Sequence, residues 1–334
     1  MFDRSKCDLC GDCLVECLYV NYDREKAVQE MIALIEDREA EILKECITCV
    51  ACNEYCTKGA NPFDLICLLQ EKTNALMIPE KLASWFDRMP SMPSGVVRGT
   101  PNKQILSLCI LEQGLPSGAI EGQMFDGLTI VKGGEYFCYI PYVHIGRESL
   151  IKQNAQRFVD KLTGLGAKEI VLLHDDCYSM LTKKIQDYNI KVPFKPIHII
   201  DYLLNYLGEH RKSITKVGKK IAYQRPCGSR YTPAKEQMLD ELFELIGVER
   251  VVREYDREKA LCCGFLPART NPKRGLEIQN RNLIDAKEHG ADGMVFLCPM
   301  CLMTLGPTSQ ALGLSPIFLI VLCRMALGEK SFPS

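Results

Sequence analysis

Thirteen of the eighteen cysteines in this 334-residue chain fall into two patterned sets. The last third holds Cys227, the adjacent pair Cys262 and Cys263, and then Cys298 with Cys301. Thirty-four residues separate Cys227 from the pair, and 34 more, beginning with Gly264, separate the pair from Cys298. Thiolate sulfur is soft, so four or more such ligands point to zinc or an iron–sulfur cluster. Tetrahedral zinc closes with four ligands. The fifth cysteine argues for something larger, with zinc or a core of reduced thiols as the alternatives. Successive side chains of a strand face opposite ways, so Cys262 and Cys263 meet at one centre only from a turn. Gly264 supplies the backbone freedom such a turn uses.

The second set opens the chain. Cys7-x-x-Cys10-x-x-Cys13-x-x-x-Cys17 recurs after 28 residues as Cys46-x-x-Cys49-x-x-Cys52-x-x-x-Cys56. Each run resembles a [4Fe–4S] ferredoxin run, and in two-cluster ferredoxins the fourth cysteine ligates the other cluster. The resemblance implies that Cys7, Cys10, Cys13 and Cys56 hold one cubane, and Cys46, Cys49, Cys52 and Cys17 the other. The usual proline after the fourth cysteine is absent, since Leu18 and Thr57 stand there. A pair of zinc knuckles is the alternative. Ala27, Met31, Leu34, Ile35, Ile42 and Leu43 recur at helical spacing between the runs, so the module resembles a helical ferredoxin domain. Cys67 and Cys109, on apolar stretches, read as buried structural thiols.

The C-terminal set, carried by Pro226-Cys227, Cys262-Cys263-Gly264 and Cys298-Pro299-x-Cys301, resembles the cysteine-rich CCG domain of the heterodisulfide reductase catalytic subunit. Related domains occur in iron–sulfur subunits of glycolate, lactate and glycerol-3-phosphate oxidoreductases. The resemblance implies a non-cubane [4Fe–4S] cluster on Cys227, Cys262, Cys263, Cys298 and Cys301, able to act on a disulfide.

The elements that position these residues repeat. Gly166-Ala-Lys-Glu-Ile-Val-Leu-Leu-His174-Asp-Asp-Cys177 aligns with Gly290-Ala-Asp-Gly-Met-Val-Phe-Leu-Cys298-Pro-Met-Cys301, which indicates an internal duplication. His174 takes the place of Cys298, and Cys177 that of Cys301. Periodic helical stretches precede short apolar strands: 153–162 before 170–173, and 275–288 before 294–297. Alternating strands and helices imply α/β layers with a parallel sheet. The fold expected is α + α/β: a two-cluster ferredoxin-like domain over 1–75, a linker or arm over 76–128, a degenerate first CCG-type half over 129–212 and a complete CCG half over 213–334. The first half keeps Cys138 and Cys177 but no Cys-Cys pair, so no second non-cubane cluster is expected there. What survives reads either as a lid whose His144, Arg147, His174 and Asp175 face the remaining cluster, or as polar surface. His198 reads as a satisfied helix-face histidine, and Trp85 as a packing residue.

Composition sets the limits. A net charge of −1 offers no general attraction to nucleic acid or acidic lipid. Cysteines clustered as CxxC fit metal ligation in a reducing compartment better than a disulfide framework, so a cytoplasmic protein is expected. The apolar run near 312–327 contains Pro316 and Arg324 and is short for a membrane span. Membrane association would come only through a partner. No Gly-rich segment has the strand–GxGxxG–helix context of a dinucleotide site. Two functions follow from the resemblance. One is a heterodisulfide-reductase-like subunit that takes electrons from a flavoprotein or iron–sulfur partner and reduces a disulfide at the CCG cluster, with His174 and Arg147 beside it. The other is a non-catalytic relay of a flavin dehydrogenase, delivering electrons to a quinone or partner.

Overall fold

The computed structural model describes residues 1–333. Short helices, Asp12–Val15, Arg24–Ile35, Ile42–Glu45, Ala51–Tyr55 and Pro62–Thr73, hold the N-terminal cysteines. The longest of them start where the sequence caps them. Asp23 accepts a hydrogen bond from the Lys26 amide at 2.8 Å to begin Arg24–Ile35, and Pro62 occupies the first turn of Pro62–Thr73. Ala27, Met31 and Leu34 pack inward with Ile42 and Leu43, as their spacing requires. Ile35 stays half-buried at the rim.

Among the described residues, nine strands form two sheets: β1 (Gly95–Val97), β2 (Ile105–Ser107), β3 (Thr129–Lys132), β4 (Glu169–Leu172) and β5 (Lys195–His198), then β6 (Lys219–Gln224), β7 (Val248–Arg250), β8 (Gly293–Phe296) and β9 (Ser315–Phe318). The first sheet runs β1-β3-β2-β4-β5 and the second β7-β6-β8-β9. All pairings are parallel except β1 with β3. Without that edge strand, the two sheets share one order, each pairing its first strand with its second and its third. Ile170, Val171 and Leu172 in one sheet, and Met294, Val295 and Phe296 in the other, are fully buried. Such unbroken apolar runs are what a strand covered on both faces requires.

Residues 76–128 are not the expected linker. They contribute β1 and β2, and β2 lies at the centre of the first sheet, between β3 and β4. The Pro and Gly density around 89–95 and 114–118 is real punctuation, but a three-residue strand is too short to display a period. The helix expected near Leu82–Phe86 is Glu80–Arg88. His198 ends β5 and caps the next helix, accepting from the Ile200 amide at 3.2 Å, so it is a strand-end residue rather than a helix-face one.

Lys184, 2% exposed, ties the N-terminal helices to the first sheet's helices by binding Asp64 at 2.9 Å and Glu148 at 3.1 Å. Burial alone would raise the Asp64 carboxyl, but Lys184 and the N-terminal ammonium, 2.9 Å away, together hold it below the usual carboxylate range. A depressed folded-state pKa contributes stability that is present above the unfolded value near 3.8 and is lost as pH falls through the folded value. Lys184→Met removes the part of that contribution that Lys184 supplies. The stability gap between native protein and variant, measured by urea melts, is therefore expected to be widest near neutral pH and to narrow below about pH 4. A gap independent of pH would contradict the pairing.

Candidate metal centre

Open α/β sheets bind ligands beyond the carboxyl ends of their strands, and three loops of the second sheet meet there. Cys227 begins the turn Cys227–Tyr231 just after β6. Cys262 and Cys263 come from the long loop after β7, and Gly264 has φ 75°, the left-handed conformation expected of that turn. Cys298 precedes the helix Pro299–Ala311, whose first turn carries Cys301. The sulfurs form a chain of neighbours: Cys227 to Cys262 at 3.9 Å, then Cys262 to Cys263, Cys263 to Cys301, and Cys301 to Cys298. The thiols of Cys227 and Cys263 hydrogen-bond Cys262 and depress its pKa. The Cys301 thiol, then the charge on His174, lower Cys298 to about 5. Cys262 and Cys298 are thus held toward the thiolate, while Cys227, Cys263 and Cys301 are pushed up, and metal binding would take their remaining protons. Among the described residues, no three of these five sulfurs fall within 4.8 Å of one another. That spread suits ligands on different irons of one cluster.

A cavity of about 710 Å³ opens over this set. Trp85, Met89, Met92, Phe265 and Met303 make its walls largely apolar, while His144, His174 and Asp176 supply polar atoms. Trp85 packs edge-on against Phe86 at 5.2 Å and tilts against Phe265 at 5.8 Å, so its packing role also shapes the cavity. The His174 Nδ1 lies 3.2 Å from the Asp176 amide nitrogen and 3.4 Å from the Asp176 carboxylate, and Nε2 has no hydrogen-bond partner among the described residues. Burial disfavours the His174 charge, but Asp176 and Cys298 together raise its pKa well above the ordinary value. A Cβ on Gly228 would fall on the Asp176 carboxylate, so only glycine lets the Cys227 turn sit this close to the first half.

Two of the four lid residues expected from sequence are in place. His144 lines the cavity, its Nδ1 against the Thr48 carbonyl at 2.9 Å, and His174 lies beside Cys298. Arg147 is not at the site. It pairs with Asp87 at 3.0 Å and borders a separate surface groove, because it precedes the helix Glu148–Thr163 on the far side of the 140–145 turn. Asp175 turns away to His198 at 3.2 Å, and Asp176 takes the place beside His174. Adjacent acidic residues at a helix start project in different directions, so spacing alone did not choose between them.

The fold brings the two N-terminal runs together, so that cysteines of each act on cysteines of the other. Burial, then the charges of Cys56, Cys10 and Cys7, push Cys13 up to about 12. Cys46 and Cys49 are likewise raised by burial and feel Cys17. Both runs fold alike. Leu9 and Gly11 in the first, and Thr48 and Val50 at the same places in the second, all have positive φ, between 60° and 78°. A β-branched valine in that region is an outlier. The second loop turns the Thr48 amide to Cys46 at 3.3 Å, and beyond that run the Ala60 amide reaches Cys56 at 3.4 Å. Such amides tune and stabilise cluster sulfurs, so these residues fit an iron–sulfur group.

The inner group adjoins the C-terminal cysteines. Cys49 feels the buried Arg230 and is felt by Cys227. The Tyr19 hydroxyl accepts from the Cys262 amide at 2.7 Å, Arg274 donates to the Tyr19 carbonyl at 3.0 Å, and Arg281 to the Leu18 carbonyl at 3.3 Å. Glu54 accepts from Arg225 at 2.9 Å and Arg230 at 2.7 Å. None of these joining residues stood out in the sequence. A signal was present only for Tyr19, two residues past Cys17.

The CCG family, described as a cysteine-rich domain, matches residues 221–306. That span contains all five C-terminal cysteines. With the cysteine sets, the match supports a CCG-type iron–sulfur protein with an electron-transfer role. No curated protein matches the chain. A solved structure, a hypothetical protein from Helicobacter pylori, is similar at TM-score 0.56 and 13% identity, over 82% of this chain and 59% of that one. This chain thus spans about three-fifths of that protein's length, and the likeness is one of fold. Among the described residues, no helix is long and apolar enough to cross a membrane.

Proposed function

We propose that this protein is the iron–sulfur subunit of a heterodisulfide-reductase-like complex, taking electrons from a flavoprotein or ferredoxin-type partner and reducing a disulfide at the C-terminal cysteines. The observation that carries this reading is the cavity over Cys227, Cys262, Cys263, Cys298 and Cys301, with the buried, unpartnered His174 Nε2 beside it. A pure relay has no use for a cavity with a proton donor. When bound, the clusters would supply one-electron transfer, and the distal one an iron open to a thiolate.

The chain's residues divide the remaining work. Cys7, Cys10, Cys13 and Cys56 form the entry group, with Cys7, Cys10 and Cys56 partly exposed to a docking partner. Cys17, Cys46, Cys49 and Cys52 form the middle group. Tyr19, Glu54 and Arg230 fix its distance from the distal cysteines. Disulfide reduction takes two electrons and two protons and yields two thiols. His174 holds one of those protons at Nε2 and gives it to the departing thiolate. The apolar walls select a substrate whose body around the disulfide is itself largely apolar.

The test uses anaerobically reconstituted protein, reduced viologen as donor and a series of disulfides, with thiol release as the readout. Turnover is expected, slowed by about 10²-fold or more in His174→Gln, the range typical of a general acid. Clusters that reduce and reoxidise without releasing thiol from any disulfide would favour the second reading, a relay of a flavin dehydrogenase delivering electrons to a quinone or partner.

A further inference from the structure

Three cysteines outside both patterned sets come together in the first half. Cys109, Cys138 and Cys177 have their sulfurs all within 4.8 Å of one another, and the residues are 2%, 2% and 1% exposed. Cys109 read as a structural thiol from sequence; the fold instead makes it the third member of a tripod. Each member sits where the second half places a ligand. Cys109 follows β2 as Cys227 follows β6, and Cys138 follows β3 as the Cys262–Cys263 pair follows β7. Cys177 follows β4 as Cys301 follows β8. Two ligands lack a cysteine counterpart: one member of the Cys262–Cys263 pair, and Cys298, whose place His174 occupies while facing the other site.

We propose that Cys109, Cys138 and Cys177 bind a single zinc ion, distinct from the iron–sulfur centres. Zinc–thiolate bonds of about 2.3 Å put sulfurs roughly 3.8–4.0 Å apart, inside the observed limit. A cluster separates its ligands further, because each sulfur binds a different iron. Among the described residues, this is the only set of three His, Cys, Asp or Glu groups so tight. Soft thiolates select zinc, copper(I) or iron–sulfur. A divalent ion leaves one net negative charge on three thiolates and a monovalent ion two, and burial penalises the larger charge. The backbone is bent to aim these sulfurs, since Cys109 itself has φ 55° and Tyr139, next to Cys138, has φ 62°. Three unrelated buried thiols give no reason for either.

The ion has a mechanical consequence. Cys177 lies on the helix Asp175–Ser179, which His174 begins and which carries Asp176. Zinc would pin that helix to the loops after β2 and β3, and so hold His174 against the distal cavity.

Elemental analysis of the full chain, purified anaerobically, is expected to give one zinc per chain. X-ray absorption at the zinc edge should show three sulfurs at about 2.3 Å. Cobalt(II) supplied in place of zinc should give sulfur-to-cobalt charge-transfer bands in the near ultraviolet without any substitution. Cys177→Ser should lose the zinc and keep the iron, and Cys263→Ser should keep the zinc. Zinc that leaves with Cys263 instead would place it at the C-terminal set and overturn this assignment. A tripod found metal-free, with three alkylatable thiols or a disulfide between two of them, would overturn it as well. Neither result bears on whether the five-cysteine set holds a cluster.

Discussion

Glu54→Ala is expected to cost about 3–5 kcal/mol, the usual penalty for breaking a buried ion pair by removing one partner. Glu54 is the carboxylate shared by Arg225 and Arg230, whose side chains are 1% and 3% exposed. Without it, two guanidinium groups stay in a dry interface. Arg230 still has the Glu258 and Ala260 carbonyls, and Arg225 keeps Glu236 at 3.3 Å, but neither replaces a shared charge. The interface at stake joins the middle cysteine group to the Cys227 turn. The variant should therefore lose iron from the middle and distal groups earlier in a denaturant titration than native protein does. Glu54→Gln, which keeps the acceptor and drops the charge, should fall between them. Equal denaturation midpoints for native and Glu54→Ala would show that the interface does not depend on this pair.

Cys263→Ser carries the second large effect. Cys263 bridges two parts of the distal set, neighbouring Cys262 on one side and Cys301 on the other. A serine hydroxyl is a poor ligand for iron where thiolate is required. About four irons of roughly twelve should be lost, with the two ferredoxin-type clusters and their reduced-state signals retained. Thiol release from disulfides should stop. Because Tyr19 touches the Cys262 amide rather than the Cys263 sulfur, the N-terminal groups should remain folded. Loss of all the iron would mean that the N-terminal groups depend on the distal set for their fold.

Spacing made the cysteines legible, and topology explains the rest. Thirteen of them announce themselves because cluster ligands come from short loops with fixed gaps. The Cys262–Cys263–Gly264 turn was legible for the same local reason. The duplication was visible where the apolar sequence runs unbroken for four residues, at 170–173 and 294–297. It was hidden where β2 is three residues long within a Pro- and Gly-punctuated stretch, and that concealed the centre of the first sheet. With it went the equivalence of Cys109 to Cys227. Which of Asp175 and Asp176 serves His174, and whether Arg147 reaches the cavity, depend on the direction of a helix start and of a turn. Contacts over long sequence separations, such as Tyr19 with Cys262 and Glu54 with Arg230, leave no periodic trace at all.

The most direct test of the central claim is iron and sulfide content with low-temperature EPR on anaerobically purified protein, reduced and oxidised. Two cubanes and a distal cluster predict about 12 irons per chain and, on oxidation, a paramagnetic signal that shifts when a thiol ligand is added. About 8 irons, with no oxidised-state signal that responds to thiol, would mean that Cys227, Cys262, Cys263, Cys298 and Cys301 hold no cluster, and the electron path would end at the ferredoxin-type groups.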